Sequence, residues 1–366
     1  MTVHETGDGV RRLTQLETSP EGLGLRRLRG AIATAAATAA LGLATAAFES
    51  YRSRRAERLH PPLGRFLEID GVRLHYLDTG PDAGSLDHAA TPAVLLHGNG
   101  VMAEDFLISG VVGLAARRRR VVSFDRPGFG HSDRPRDRRW TAQAQADLIR
   151  KAFVRLGIER PVVAGHSWGT LAALALALED PEAVAGLVLI SGYYYPSLRV
   201  DSALFAPSAI PVIGDIIRFT VAPAIGRLIE PAVLRKSFRP CPVPERFKAE
   251  FPAALMVRPS QIRATTEDAA EMTRSAAELE PGYAALTMPV VILAGAEDAI
   301  VDMNKQAARL HGEIRGSELW VKTGVGHMLH YAAPDWVSDA IERVGGPSRE
   351  RGDQAAAGAL IRPGAL

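Results

Sequence analysis

Residues Pro161–Leu178 read PVVAGHSWGTLAALALAL. A short apolar run, Val162 to Ala164, leads into Gly165-His166-Ser167-Trp168-Gly169 and then into an apolar helical stretch, a strand, a sharp turn and a helix. Glycine on either side of the turn permits strained backbone, which lifts the Ser167 hydroxyl from the carboxyl end of a strand to a helix N-terminus. With 34 glycines in 366 residues, the bare pattern GxSxG arises by chance about 0.15 times in such a chain. Its meaning therefore depends on what surrounds it.

The surroundings are periodic from residue 63. Phe66–Asp70 and Val72–Asp78 read as a hairpin about Asp70-Gly71, a two-residue turn signal. Short, continuously apolar runs follow at Ala93–Leu96, Val121–Phe124, Val162–Ala164, Leu187–Ile190, Val290–Leu293 and Leu319–Val321, the pattern of strands buried on both faces of a parallel sheet. Helical patterns lie between them at about 103–117, 141–156, 168–179, 302–312 and 334–344. The predicted class is α/β, a mainly parallel central sheet flanked by helices. The core is expected in residues 63–193 and 288–345. The 94 residues 194–287 carry 11 of the 24 prolines and short apolar helical stretches at 210–221 and 224–234. They are predicted to form a helical cap inserted into the core. Residues 346–366 read as a flexible tail.

Composition narrows the function classes. Hydrophobic residues make up 47% and charged residues 23%, which suits a globular fold. A formal charge of +2 disfavours a nucleic-acid binder. One cysteine, Cys241, cannot build a disulfide or a cysteine-rich metal site. No metal or cofactor is implied, and a small-molecule substrate is the expected partner.

The basic excess is N-terminal, since residues 1–62 hold nine arginines, no lysine and six acids. Residues 31–48, AIATAAATAALGLATAAF, are uncharged and bracketed by arginines. They read as a single-pass membrane anchor, as a cleaved signal for export to the periplasm, or as an alanine-rich helix of a cytoplasmic protein. Membrane association through 31–48 is the leading expectation. The following stretch to Pro62 reads as a tether.

Three further fragments stand at strand ends. His97-Gly98-Asn99-Gly100 follows PAVLL, where backbone N–H groups can bind a developing oxyanion. Gly295-Ala296-Glu297-Asp298 follows PVVIL and offers a carboxylate. Gly326-His327 follows LWV and offers an imidazole. Asp298 can alternatively cap the helix after it, and His330 is a rival to His327.

On these residues, with Asp125-Arg126-Pro127-Gly128-Phe129-Gly130-His131-Ser132-Asp133, the chain resembles the α/β-hydrolase superfamily from about 63 to 345. The resemblance implies Ser167 as nucleophile, His327 as base and acid, Asp298 as orienting carboxylate, and the N–H groups of Asn99 and Trp168 as the oxyanion hole. Asn99 and Trp168 also resemble the halide-binding pair of haloalkane dehalogenases, whose nucleophile, like that of epoxide hydrolases, is aspartate; serine implies acyl transfer instead. His97 and His166 are expected to be structural. Ile213, Ile217 and their apolar neighbours Ile210, Val212, Ile216, Phe219 and Leu228 in the cap, with Tyr193, Tyr194 and Tyr195 where it begins, are expected to contact substrate. The expected reaction is hydrolysis of a carboxylic ester or related acyl bond of a small, apolar substrate. Carbon–carbon hydrolysis, lactone hydrolysis, cofactor-free perhydrolysis and ligand binding without turnover stay open.

Overall fold

The computed structural model describes residues 20–80, 90–197 and 213–346. Ile210, Val212 and the tail 347–366 lie outside the described residues. The chain divides into two units, 1–52 and 53–366, and helix α1 (Pro20–Leu59) runs through the boundary. From Arg26 onward α1 is long and apolar enough to cross a membrane. The stretch read as a tether is not one: the helix continues to Leu59, with Ala56 buried in the second unit and Glu57 paired to Arg258 at 2.9 Å. Only residues 60–64 separate it from the first strand.

The second unit is built on one eight-stranded sheet: β1 (Arg65–Ile69), β2 (Val72–Asp78), β3 (Ala93–Leu96), β4 (Val121–Phe124), β5 (Val162–His166), β6 (Gly186–Ile190), β7 (Val290–Gly295) and β8 (Glu318–Lys322). β1 and β2 form the expected hairpin, with Asp70 and Gly71 both at positive φ, 50° and 74°, as its turn requires. The order is β1-β2-β4-β3-β5-β6-β7-β8; β2 pairs antiparallel to both β1 and β4, and the remaining pairs are parallel. The chain lays β4 on one side of β3 and β5 on the other, so a topological switch point opens between β3 and β5. Register aligns Leu96 with Gly165 and His166 with Ile190. The loops after β3 and β5 therefore leave the sheet side by side.

Both faces of the sheet are covered, which is why its strands read as unbroken apolar runs. Val94, Leu96, Val163, Leu187 and Ile292 face one core with helices α4 (Ala142–Leu156) and α5 (Gly169–Glu179); Leu95, Ala164, Val188 and Leu293 face the other with the last helix. α4 starts where Thr141 accepts from Ala144 N–H at 3.1 Å and stops at Gly157, φ 60°. The helix expected over 103–117 is two, α2 (Glu104–Ile108) and α3 (Val111–Ala115), broken at Gly110 with φ 93°. The helix expected over 302–312 begins as a wider π turn, 304–308, before α11 (Arg309–Glu313).

Between β6 and β7 the described residues form α6 (Ile213–Thr220), α7 (Ala222–Phe238), α8 (Glu245–Glu250), α9 (Ala253–Met256) and α10 (Pro259–Leu279). Phe238, Phe247, Phe251 and Leu255 join Val101, Met102 and Met328 in a third apolar cluster that packs these helices on the loops after β3 and β8. α12 (Leu329–Ala332) and α13 (Pro334–Gly345) end the fold.

Candidate active site

Ser167 sits at the tip of β5 with φ 51°, a left-handed conformation costly for a residue with a side chain. Its N–H donates to Ile190 O at 2.9 Å, and its carbonyl accepts from Thr170 N–H and Oγ1 at 3.1 and 2.6 Å, which binds the strained turn to β6 and to the first turn of α5. Glycine is required on both sides. A Cβ on Gly165 would stand 2.6 Å from Gly169 O, and one on Gly169 would stand 2.1 Å from Leu96 O.

At the ends of β7 and β8, His327 Nδ1 and Asp298 Oδ2 are 2.8 Å apart, both side chains buried. The other carboxylate oxygen, Oδ1, accepts from Ile300 and Val301 N–H at 2.8 and 2.9 Å. Asp298 thus caps the following turn and holds the imidazole at once. Glu297 is engaged elsewhere. Its N–H donates to Val325 O and its Oε2 accepts from Val325 N–H, which fastens the loop carrying His327. Gly295 lets that loop pass, since a Cβ there would stand 2.4 Å from Val325 and Gly326 carbonyl oxygens. The His327 ring lies 5.0 Å from that of His166, the residue before Ser167. Among the described residues no hydrogen bond joins Ser167 Oγ to His327 in this resting geometry. Such bonds commonly close only when substrate is bound.

The loop after β3 reaches Ser167 through Gly98, whose added Cβ would stand 3.2 Å from Ser167 Cβ. Among the described residues neither Asn99 N–H nor Trp168 N–H is taken by a protein acceptor. The side chains of the same two residues are occupied: Asn99 Nδ2 donates to Thr265 O at 3.0 Å and Trp168 Nε1 donates to Asp268 O at 2.9 Å, both carbonyls of α10. That occupies the Trp168 indole N–H and one of the two N–H groups of the Asn99 amide.

The other histidines are held away from the serine. His97 is buried and pushed down to about 3 by desolvation and by Arg126; neutral, it donates Nδ1–H to Gly98 O at 2.7 Å and accepts Arg126 N–H at Nε2, 2.9 Å. His166, held well below its ordinary value by burial and by His330 and His327, donates Nε2–H to His327 O at 3.2 Å. His330 Nε2 pairs with Asp105 at 2.8 Å, both fully buried. Asp105, His166 and His330 are a group whose ligand atoms lie within 4.8 Å of one another. Asp105 has both oxygens engaged, by His330 and by the Tyr331 hydroxyl, while His166 Nδ1 and His330 Nδ1 have no hydrogen-bond partner among the described residues.

The residues expected to contact substrate are dispersed. The Tyr193 hydroxyl accepts Ser197 N–H at 2.7 Å and donates to Ser197 O at 3.1 Å. Tyr194 is fully buried in the main core, its hydroxyl without a hydrogen-bond partner among the described residues. On α6, Ile217 is half-buried and Ile213 is exposed.

Arg126, in the stretch Asp125–Asp133, has a role that its sequence context does not disclose. Its guanidinium donates Nε–H to His97 O at 2.8 Å and Nη2–H to Gly98 O at 3.0 Å, pairs through Nη1 with Asp268 of α10, and lies over Trp168 at 4.3 Å. Gln261 of α10 adds a bond from Nε2–H to Gly100 O at 3.2 Å. The loop after β3 is thereby fastened from two sides. The signal was a buried-arginine motif whose partner lies 142 positions away.

A family model described as "Alpha/beta hydrolase family" matches residues 93–340. Haloalkane dehalogenase 2 of Mycobacterium tuberculosis is 26% identical over 79% of this chain and 97% of its own length. Among solved structures, an esterase from Exiguobacterium antarcticum superposes with a TM-score of 0.61 at 20% identity, covering 77% of this chain and 99% of that one. A bacterial membrane phospholipase A superposes with a TM-score of 0.57 at 19% identity, covering 88% and 99%.

Proposed function

Because the chain belongs to the alpha/beta hydrolase family and is a hydrolase, we propose that it cleaves a carboxylic ester or related acyl bond of a small, apolar substrate through an acyl-enzyme on Ser167. His327 Nε2 takes the Ser167 proton as Oγ attacks the carbonyl carbon, and the tetrahedral oxyanion is received by the N–H groups of Asn99 and Trp168. The same imidazole returns the proton to the leaving group, then activates a water that releases the acid. Asp298 keeps Nδ1 protonated and stabilises the imidazolium. The observation that carries the reading is the 2.8 Å His327–Asp298 pair, next to a serine strained at φ 51°. Tyr193 and Ile217 are the substrate contacts this reading retains. The proposal includes α1 as a single-pass anchor, supported by its length, its apolar stretch and the arginines on both flanks.

The test is a fluorophosphonate probe on the full chain and on Ser167→Ala, followed by p-nitrophenyl esters of rising chain length. Wild type should label and the variant should not, with kcat/KM on the best ester falling by about 10³-fold or more. Equal labelling of the two proteins removes Ser167 as nucleophile, and labelling without turnover of any ester removes the ester reading.

A further inference from the structure

The front of the helical insertion carries aliphatic side chains that nothing in the described protein covers. Val221, Ile225 and Leu228 recur at i, i+4 and i+7, which puts them on one helix face, and they are 52%, 52% and 81% exposed. Ile213 and Ile216 of α6 are 52% and 62% exposed. Single exposed aliphatics are ordinary, but five on two consecutive helices form a patch that calls for a partner.

The last turn of α7 changes character. Arg235, Lys236 and Arg239 line an open groove of about 570 Å³ with Pro240 and Cys241. None of the three cations has an acidic partner among the described residues. Over 213–239 the chain holds five basic and two acidic residues. An aliphatic stripe running into unpaired guanidinium and ammonium groups matches a bilayer of anionic lipid, hydrocarbon against the stripe and phosphate against the cations. The same chain contains a helix long and apolar enough to cross a membrane, and residues 60–64 are all that separate its end from β1.

We propose that α6 and α7 form an interfacial docking face that seats on an anionic phospholipid bilayer, the stripe entering the acyl boundary and the Arg235–Lys236–Arg239 groove taking lipid phosphates. The face sets which helices of the insertion meet the lipid. The proposal does not require Ser167 chemistry.

The test uses the full chain with Cys241→Ser and Leu228→Cys, labelled with NBD and reconstituted into phosphatidylcholine vesicles with or without phosphatidylglycerol. The reference carries the label at Val154→Cys, a site on α4 that is 76% exposed. In anionic vesicles the label at 228 should shift to the blue and be quenched by doxyl lipid at least about threefold more than the reference. Arg235→Gln, Lys236→Gln and Arg239→Gln together should bring that signal back to the level in neutral vesicles. Equal quenching at 228 and 154 overturns the proposal. A blue shift without doxyl quenching, growing with protein concentration in detergent, also overturns it and assigns the stripe to a second copy of the chain.

Discussion

Arg126 shows how a residue that need never touch substrate can set the proposed oxyanion site. A trans peptide points its C=O and N–H in opposite directions. Two donors, Arg126 Nη2 and His97 Nδ1, hold Gly98 O at 3.0 and 2.7 Å, so the Asn99 N–H of the same peptide unit must face the other way. Lysine keeps the charge and loses the planar fork. Arg126→Lys is therefore expected to lower kcat on the best ester by about 10- to 100-fold, less than the roughly 100- to 1000-fold cost of removing an oxyanion donor outright, while KM moves little. A raised KM at unchanged kcat would show that Arg126 serves binding instead. Glu104, buried after the same loop, gives a prediction on stability. Desolvation and then Asp125 push its carboxyl up to about 7, so the folded protein binds a proton that the unfolded chain releases near pH 4.5. Stability should fall as pH rises from about 4.5 through 7, by about 3 kcal/mol from this group. Glu104→Gln should remove that fall, visible in urea titrations at pH 5 and 8 as a wild-type deficit that grows with pH; parallel curves would refute it. The neutral His97 contributes equally to both proteins and cancels.

At the scale of elements, the distance between backbones around the elbow decides what each glycine does. A methyl on Gly169 would meet Leu96 O at 2.1 Å, where β3, β5 and α5 converge, whereas Gly113 in α3 has nothing within 4 Å. Gly169→Ala should cost about 3 kcal/mol or more through backbone displacement, and Gly113→Ala should add about 0.5–1 kcal/mol through helix propensity. Thermal melts of the two variants should move in opposite directions; a stable Gly169→Ala protein would mean that the elbow is looser than its contacts require. The strands were legible because burial on both faces leaves only apolar letters. α10 was harder to read, because four of its nine buried positions are the polar residues Gln261, Thr266, Asp268 and Ser275. Gln261, Asp268 and Ser275 are matched to polar partners far away in sequence, and polar letters at buried positions weaken the apolar periodicity by which a helix is read. The break at Gly110 was hidden for a simpler reason, since a glycine inside an apolar helical pattern does not declare whether its φ is positive.

For the molecule as a whole, the order Ser167, Asp298, His327 could be read from the chain because each residue follows an apolar strand, and a parallel sheet delivers all such ends to one edge. What could not be read was which side of the inserted helices is covered. Ile213 looked like a pocket residue because a stripe of aliphatic letters is the same whether it meets a substrate, a core or a lipid. The bonds from α10 have a practical outcome for anyone building chimeras. Gln261, Thr265 O and Asp268 belong mechanically to the floor of the enzyme although they are encoded in its roof. A graft that exchanges all of 194–287 would discard three supports of the loop beside Ser167. One that stops short of Arg258 would change the roof and keep them.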